Sequence, residues 1–239
     1  ASSNTNGTIT SSVSVNAAAG FSIVSWTHGS GSQSIGHGLS QKPDMMIVKK
    51  RSGVSSFWTW HKGLSSETQS FIHVNTTNAA GANANAWNNQ APTASVFYQK
   101  EYILSNNDTG IAYCFHSVDG YSKVGSFIGN GNVDGAFVHC GFKPAFLLFR
   151  RSTETGSWFM FDNARGTTYN VTGTNFYNVR DNKLNAEANY AEDADSSWNI
   201  DFLSNGFKLR SPHVYMNGNN LTHIFIAFAE NPFKHSNAH

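Results

Sequence analysis

The chain is written nearly twice. Gly20-Phe21-Ser22-Ile23-Val24 opens one half, and Gly120-Tyr121-Ser122-Lys123-Val124 opens the other. Each opening leads to a Gly-rich turn (Gly29-Ser30-Gly31; Gly129-Asn130-Gly131), then to Lys-Pro (Lys42-Pro43; Lys143-Pro144) and an apolar run. A basic stretch follows, Lys50-Arg51-Ser52 against Arg150-Arg151-Ser152, and then aromatic clusters at Phe57-Trp58-Thr59-Trp60 and Trp158-Phe159-Met160-Phe161. Trp87 answers Trp198, and Ile111-Ala112-Tyr113-Cys114-Phe115 answers Ile224-Phe225-Ile226-Ala227-Phe228. A duplication sorts residues. Positions shared by both halves serve the common fold, and positions present in one half are the better candidates for function.

The repeat, about 100 residues, is far longer than a solenoid unit and close to a small domain. Only Ser117-Val118-Asp119 joins the halves, with no Pro/Gly/Ser-rich linker. This favours one compact domain over 20–234, with halves 20–119 and 120–234. Residues 1–19 read as a connecting segment holding a short strand, and 235–239 as a tail. The polar start at Ala1, without Met or signal peptide, reads as a piece of something longer.

Patterning argues for β structure. Phe21 to Trp26 alternates, and Asp44 to Lys49 is a continuous apolar run that reads as a buried strand. A hairpin through Arg51-Ser52-Gly53 joins it to Phe57–His61. Further strands are expected at 71–74, 95–98, 101–104, 110–116, 145–150, 157–162, 206–210 and 222–229. No run of ten or more residues has a helical period. The fold class is therefore all-β: an antiparallel β-sandwich or barrel-like body built from two pseudo-twofold related halves. The repeated order suggests that equivalent strands pair with one another across the pseudo-twofold axis.

Charge excludes several classes. Sixteen Lys+Arg balance fifteen Asp+Glu, and charged residues are only 13%. No basic stripe points to nucleic acid. No apolar stretch approaches the roughly 20 residues that span a bilayer as a helix. Asn, Ser, Thr and Gly must solvate the surface, a composition usual in β-rich extracellular and virion proteins. Cys114 and Cys140 read as buried thiols, a disulfide staying open, and they lack the spacing of a zinc site.

Catalytic patterns are weak. Glycoside hydrolysis needs two carboxyl groups about 5 to 9.5 Å apart, and the acids here are scattered. Their densest group, Glu192-Asp193-Ala194-Asp195, reads as a solvated loop, with a weak calcium site as the alternative. The chain holds ten histidines, but their spacing defines no metal site. There is no Gly-x-Ser-x-Gly elbow, P-loop or dinucleotide fingerprint. The expectation is a non-enzyme without metal or cofactor. Five Asn-x-Ser/Thr sequons, at Asn6, Asn75, Asn107, Asn170 and Asn220, are what chance gives in a chain so rich in Asn and Thr.

The duplication test picks the candidate ligand-binding residues. Trp58, Trp60 and Trp87 face aromatics in the other half and read as core. Trp26 aligns with Ser126 and stands at a strand end beside Thr27-His28. A flat aromatic with a polar handle suits the apolar face of a pyranose. Tyr98, Tyr169 and Tyr177 also lack counterparts, the last two within an insertion over 167–183. The candidate set is Trp26, His28, Tyr98, Tyr169 and Tyr177.

Several motifs carry a resemblance. They are Gly20-Phe21-Ser22-Ile23-Val24, Gly36-His37-Gly38-Leu39, Trp87-Asn88 with Ala91-Pro92-Thr93, Asp134-Gly135, 202–210, and Ala227-Phe228-Ala229-Glu230-Asn231-Pro232-Phe233. Over 20–233 the chain resembles a domain of unknown function common in tail-fibre and other virion proteins of marine bacteriophages. It departs from that pattern at Thr27-His28-Gly29, where Thr-Gly is usual, and in the Asn-rich tail. The resemblance carries no catalytic residues. It implies a virion structural module, outside any cell, on a tail fibre or peripheral appendage contacting the host surface. Expected partners are other virion proteins, further copies of the chain and host surface polysaccharide. The alternatives are a capsid-decoration or tail-assembly domain and, further off, a polysaccharide depolymerase.

Overall fold

The computed structural model describes residues 1–165 and 179–232. The chain divides into two compact units, Ala1–Val118 and Asp119–His239. Each carries its own large antiparallel sheet, its own smaller sheet and its own hydrophobic core.

The strands of the first unit are β1 (Ser2–Asn4), β2 (Ser11–Asn16), β3 (Phe21–Thr27), β4 (Gln33–Gly36), β5 (Met45–Lys50), β6 (Trp58–His61), β7 (Ser70–His73), β8 (Gly81–Ala82), β9 (Val96–Gln99) and β10 (Thr109–Phe115). Its large sheet runs β1-β2-β3-β10-β5-β6-β7-β8, and β4 pairs with β9 in the small one. Alternation decides the faces. Ser22, Val24 and Trp26 of β3 are buried, as are Ala112 and Cys114 of β10 and Met46 and Val48 of β5. All but Ser22 join Ile35 of β4 and Phe97 of β9 in one core. Trp26 meets Phe97 edge-on, 5.4 Å between ring centroids.

The second unit holds β11 (Ser122–Ile128), β12 (Phe137–His139), β13 (Pro144–Arg151), β14 (Phe159–Asp162), β15 (Val179–Arg180), β16 (Asn182–Asn185), β17 (Asp193–Ala194), β18 (Ile200–Leu203), β19 (Gly206–Leu209) and β20 (Thr222–Ala229). Its large sheet runs β11-β20-β13-β14-β16-β17 and its small one β12-β19-β18-β15. The order β3-β10-β5-β6-β7-β8 therefore recurs as β11-β20-β13-β14-β16-β17. One four-residue helix, α1 (Val214–Asn217), precedes β20.

Three expectations change. Equivalent strands do not pair with one another, because each finds its ladder partners inside its own unit. Residues 101–104 form a turn instead of a strand. Ile103 and Leu104 are buried in the core, so their apolarity serves packing and not a ladder. Residues 1–19, read as a connector with a short strand, supply both β1 and β2.

Register also corrects the alignment of the halves. Ala112 pairs with Val24 on one side and Val48 on the other. Its counterpart Phe225 pairs with Gly125 and Phe149. The His116 amide bonds the Gly20 carbonyl, and the Ala229 amide bonds that of Tyr121. Counterparts are thus one residue further on than the glycine motifs suggest. Trp26 answers Phe127, not Ser126. A one-residue slip moves every side chain to the other face of a strand, so this shift decides which residues are shared.

Candidate functional site

A groove of about 400 Å³ opens on the first unit. Its floor follows from register. Ser3 of β1 lies opposite Ser12 of β2, and Ser12 opposite Ser25 of β3, so three serines form one row across three strands. Thr27 and Thr109 pair across β3 and β10 just beyond. Thr10, Ser11, Trp26 and Arg51 complete the lining. The inward neighbours on these strands, Val13, Val24 and Trp26, are anchored in the core, so the hydroxyls stand on a rigid surface. Ser11 ties β2 down by donating to the Gly36 carbonyl, 2.7 Å.

Asp108 organises the side of the groove formed by β5 and β10. One carboxylate oxygen accepts from the Ser52 hydroxyl, 2.7 Å. The other accepts from the Ser105 amide, 2.8 Å, and pairs with the Lys50 ammonium, 2.8 Å. These partners, the Lys50 contact first, hold the carboxyl down at about 2. Arg51 lies between two residues that Asp108 grips, and its amide donates to the Thr109 carbonyl, 2.7 Å. Its guanidinium is exposed and enters no ion pair among the described residues. No lining residue is a carboxylate.

The duplication test, applied at the corrected register, isolates this groove. The second unit's large sheet ends at β11, with no strands equivalent to β1 and β2 among the described residues. The counterpart of Arg51 is Ser152, whose amide donates to the Thr222 carbonyl, 2.9 Å, as the Arg51 amide does to Thr109. Ser152 is buried, with its hydroxyl turned back onto the same carbonyl, 3.3 Å. Among the described residues, the strands and the cation that line this groove thus have no counterpart in the second unit.

The sequence candidates separate. Trp26 lines the groove but is only 5% exposed, too little for a sugar ring to stack on it. Its indole N–H is buried without a hydrogen-bond partner. His28 is 1% exposed with neither ring nitrogen bonded, and burial lowers its pKa against the pull of Glu101 and Asp108. It does not line the groove, and neither does Tyr98, half-buried on β9 opposite Ser34. Tyr169 and Tyr177 lie outside the described residues. Sequence reading passed over Ser3, Thr10, Ser12, Ser25, Thr27, Arg51 and Thr109. The available signal was the mismatch of Arg51 with Ser152, hidden while Arg51 was aligned with Arg151.

Other candidates are engaged in structure. Glu192 bonds Asn182, 2.6 Å, and pairs with Arg165, 3.4 Å. Asp193 takes the Lys183 ammonium at 3.0 Å and the Trp198 indole N–H at 2.9 Å, while Asp195 caps the Ser197 amide at 2.7 Å. This acidic group is a clamp. His37 fixes a turn, accepting from the Leu39 amide at Nδ1, 3.1 Å, with Nε2 against the Thr93 carbonyl, 3.2 Å. No group of three metal-ligating side chains occurs among the described residues. Cys114 and Cys140 are free and buried, and burial pushes each thiol up to about 12.

The structure is all-β, with several antiparallel sheets and a hydroxyl-lined groove on the first unit. The chain belongs to the family described as "Domain of unknown function (DUF7483)", whose profile matches residues 1–232. No curated protein and no solved structure matches it.

Proposed function

We propose that this chain is a non-enzymatic carbohydrate-binding module of a bacteriophage virion, carried on a tail fibre or other peripheral appendage. Its groove holds host surface polysaccharide. The observation that carries the reading is the groove itself, a concave surface lined by seven hydroxyl-bearing residues, six of them on strands. Sugars present many hydroxyls and little net charge, and rows of Ser and Thr match them as donors and acceptors. The resemblance to marine phage virion domains supports the setting.

Binding without cleavage fits the lining. Hydrolysis needs a carboxyl pair across the ligand, and the described lining offers no carboxylate. Single-site affinity would be weak, because exposed hydroxyls exchange water for sugar at small net gain. Many copies on one particle offset this through avidity.

The test is binding of the chain, displayed multivalently, to bacterial cells before and after their surface polysaccharide is stripped. Saturable binding lost on stripping is expected. Binding that survives stripping, or none at all, would remove the glycan reading and turn attention to virion partners, as for an assembly domain.

A further inference from the structure

We infer that the groove selects acidic saccharides, those bearing a carboxylate or a sulfate ester, through the guanidinium of Arg51. This rests on the glycan-binding reading above and names the ligand class of the same groove.

Charge balance around the groove carries the argument. Arg51 is its one charged lining residue. In the same unit Lys42 pairs with Glu67 at 2.7 Å, Lys50 with Asp108 at 2.8 Å and Lys62 with Asp44 at 3.0 Å. Asp108, which adjoins the Thr109 that accepts from the Arg51 amide, is occupied by Lys50, Ser52 and Ser105. Arg51 is therefore flanked by satisfied charges and left uncompensated.

Geometry adds to this. Arg51 is anchored by its own amide to Thr109, so the side chain departs from a fixed point beside the Thr27–Thr109 pair. A planar guanidinium offers two parallel N–H donors, a match for the two oxygens of a carboxylate or for two of a sulfate. The adjacent hydroxyls are left to the sugar's neutral groups. The second unit replaces this cation by the buried Ser152, so the common fold does not require it.

The experiment measures affinity for four oligosaccharide probes. They are an oligouronate and its methyl ester, and a sulfated galactan oligomer and its desulfated form. The proteins are the wild type, Arg51→Gln, Arg51→Lys and, as a control for net charge, Lys100→Gln at an exposed site outside the groove. The wild type is expected to prefer an acidic probe over its neutral partner by about tenfold, the size of one charge-assisted contact. Arg51→Gln should collapse that ratio toward one, Arg51→Lys should keep part of it, and Lys100→Gln should leave it in place. Unchanged thermal melting would show that the variants fold.

Preference for the uronate alone or for the sulfate alone identifies the source of the anion, and both support the inference. Equal binding of acidic and neutral probes by the wild type, or a preference that survives Arg51→Gln, overturns it while the glycan reading stands. Binding of no probe by the multivalent chain, with stripping of cells also without effect, removes both.

Discussion

The imidazole of His223 lies flat on the ring of Phe127, with centroids 4.8 Å apart and planes 8° apart. It is fully buried, and its Nδ1 lies 3.1 Å from the Leu221 carbonyl, which makes Nδ1 the donor. Burial pushes its pKa down to about 4. The unfolded chain takes up this proton near 6.5, so the contribution to stability is complete above that pH. It declines as pH falls from about 6.5 to about 4, where it levels off. Denaturant unfolding of the wild type should lose on the order of 2–3 kcal/mol across that window from this site. His223→Phe should remove most of that slope. An unchanged slope would show that His223 is not its source.

Trp26 belongs to the framework. The ring sits over Gly110, where an added Cβ would come within 2.6 Å of it. Trp26→Ala should cost about 3–5 kcal/mol by opening a cavity. Trp26→Phe restores the residue type of Phe127 and removes an unpaired buried N–H, so it should cost under about 1.5 kcal/mol. Chemical denaturation measures both. Comparable losses for the two variants would contradict this packing.

Asp108 latches Lys50, Ser52 and Ser105 around Arg51. Asp108→Asn should lower stability by about 1–2 kcal/mol and weaken groove binding without removing a groove residue. Its depressed carboxyl contributes stability above its ordinary pKa of 3.8, lost as pH falls through about 2. The variant should therefore unfold less steeply between about pH 4 and pH 2, read by circular dichroism.

The two thiols should be silent in the folded protein. Both are buried, and the thiolate is the reactive form. At pH 8 a disulfide reagent should modify neither Cys114 nor Cys140 until denaturant is added, and then both. Rapid labelling of the native chain would place a thiol at the surface.

Much of the fold was legible. The buried run at Met45–Lys50, the hairpin to Trp58–His61 and the long strand Thr222–Ala229 all form as the patterning suggested. What the residues could not give was register. Val24 and Val124 look matched, yet Val24 is in its unit's core cluster and Val124 is not. The choice between them depends on ladder partners far away in the chain. That single offset paired Trp26 with a serine and Arg51 with an arginine, which promoted the first and concealed the second. The groove was hidden for a different reason. Ser3, Ser12 and Ser25 are ordinary surface residues in sequence, and only two consecutive ladders bring them into a row.

The row of serines has an evolutionary consequence. Its members alternate with Val13 and Val24, which point the other way into the core. Exchanging Ser3, Ser12 or Ser25 for another small polar residue alters the outer face and leaves the packing beneath it untouched. Specificity can drift there at almost no structural penalty. Divergent members of the family are then expected to keep the buried half of these strands while their outer half varies with whatever surface they must recognise.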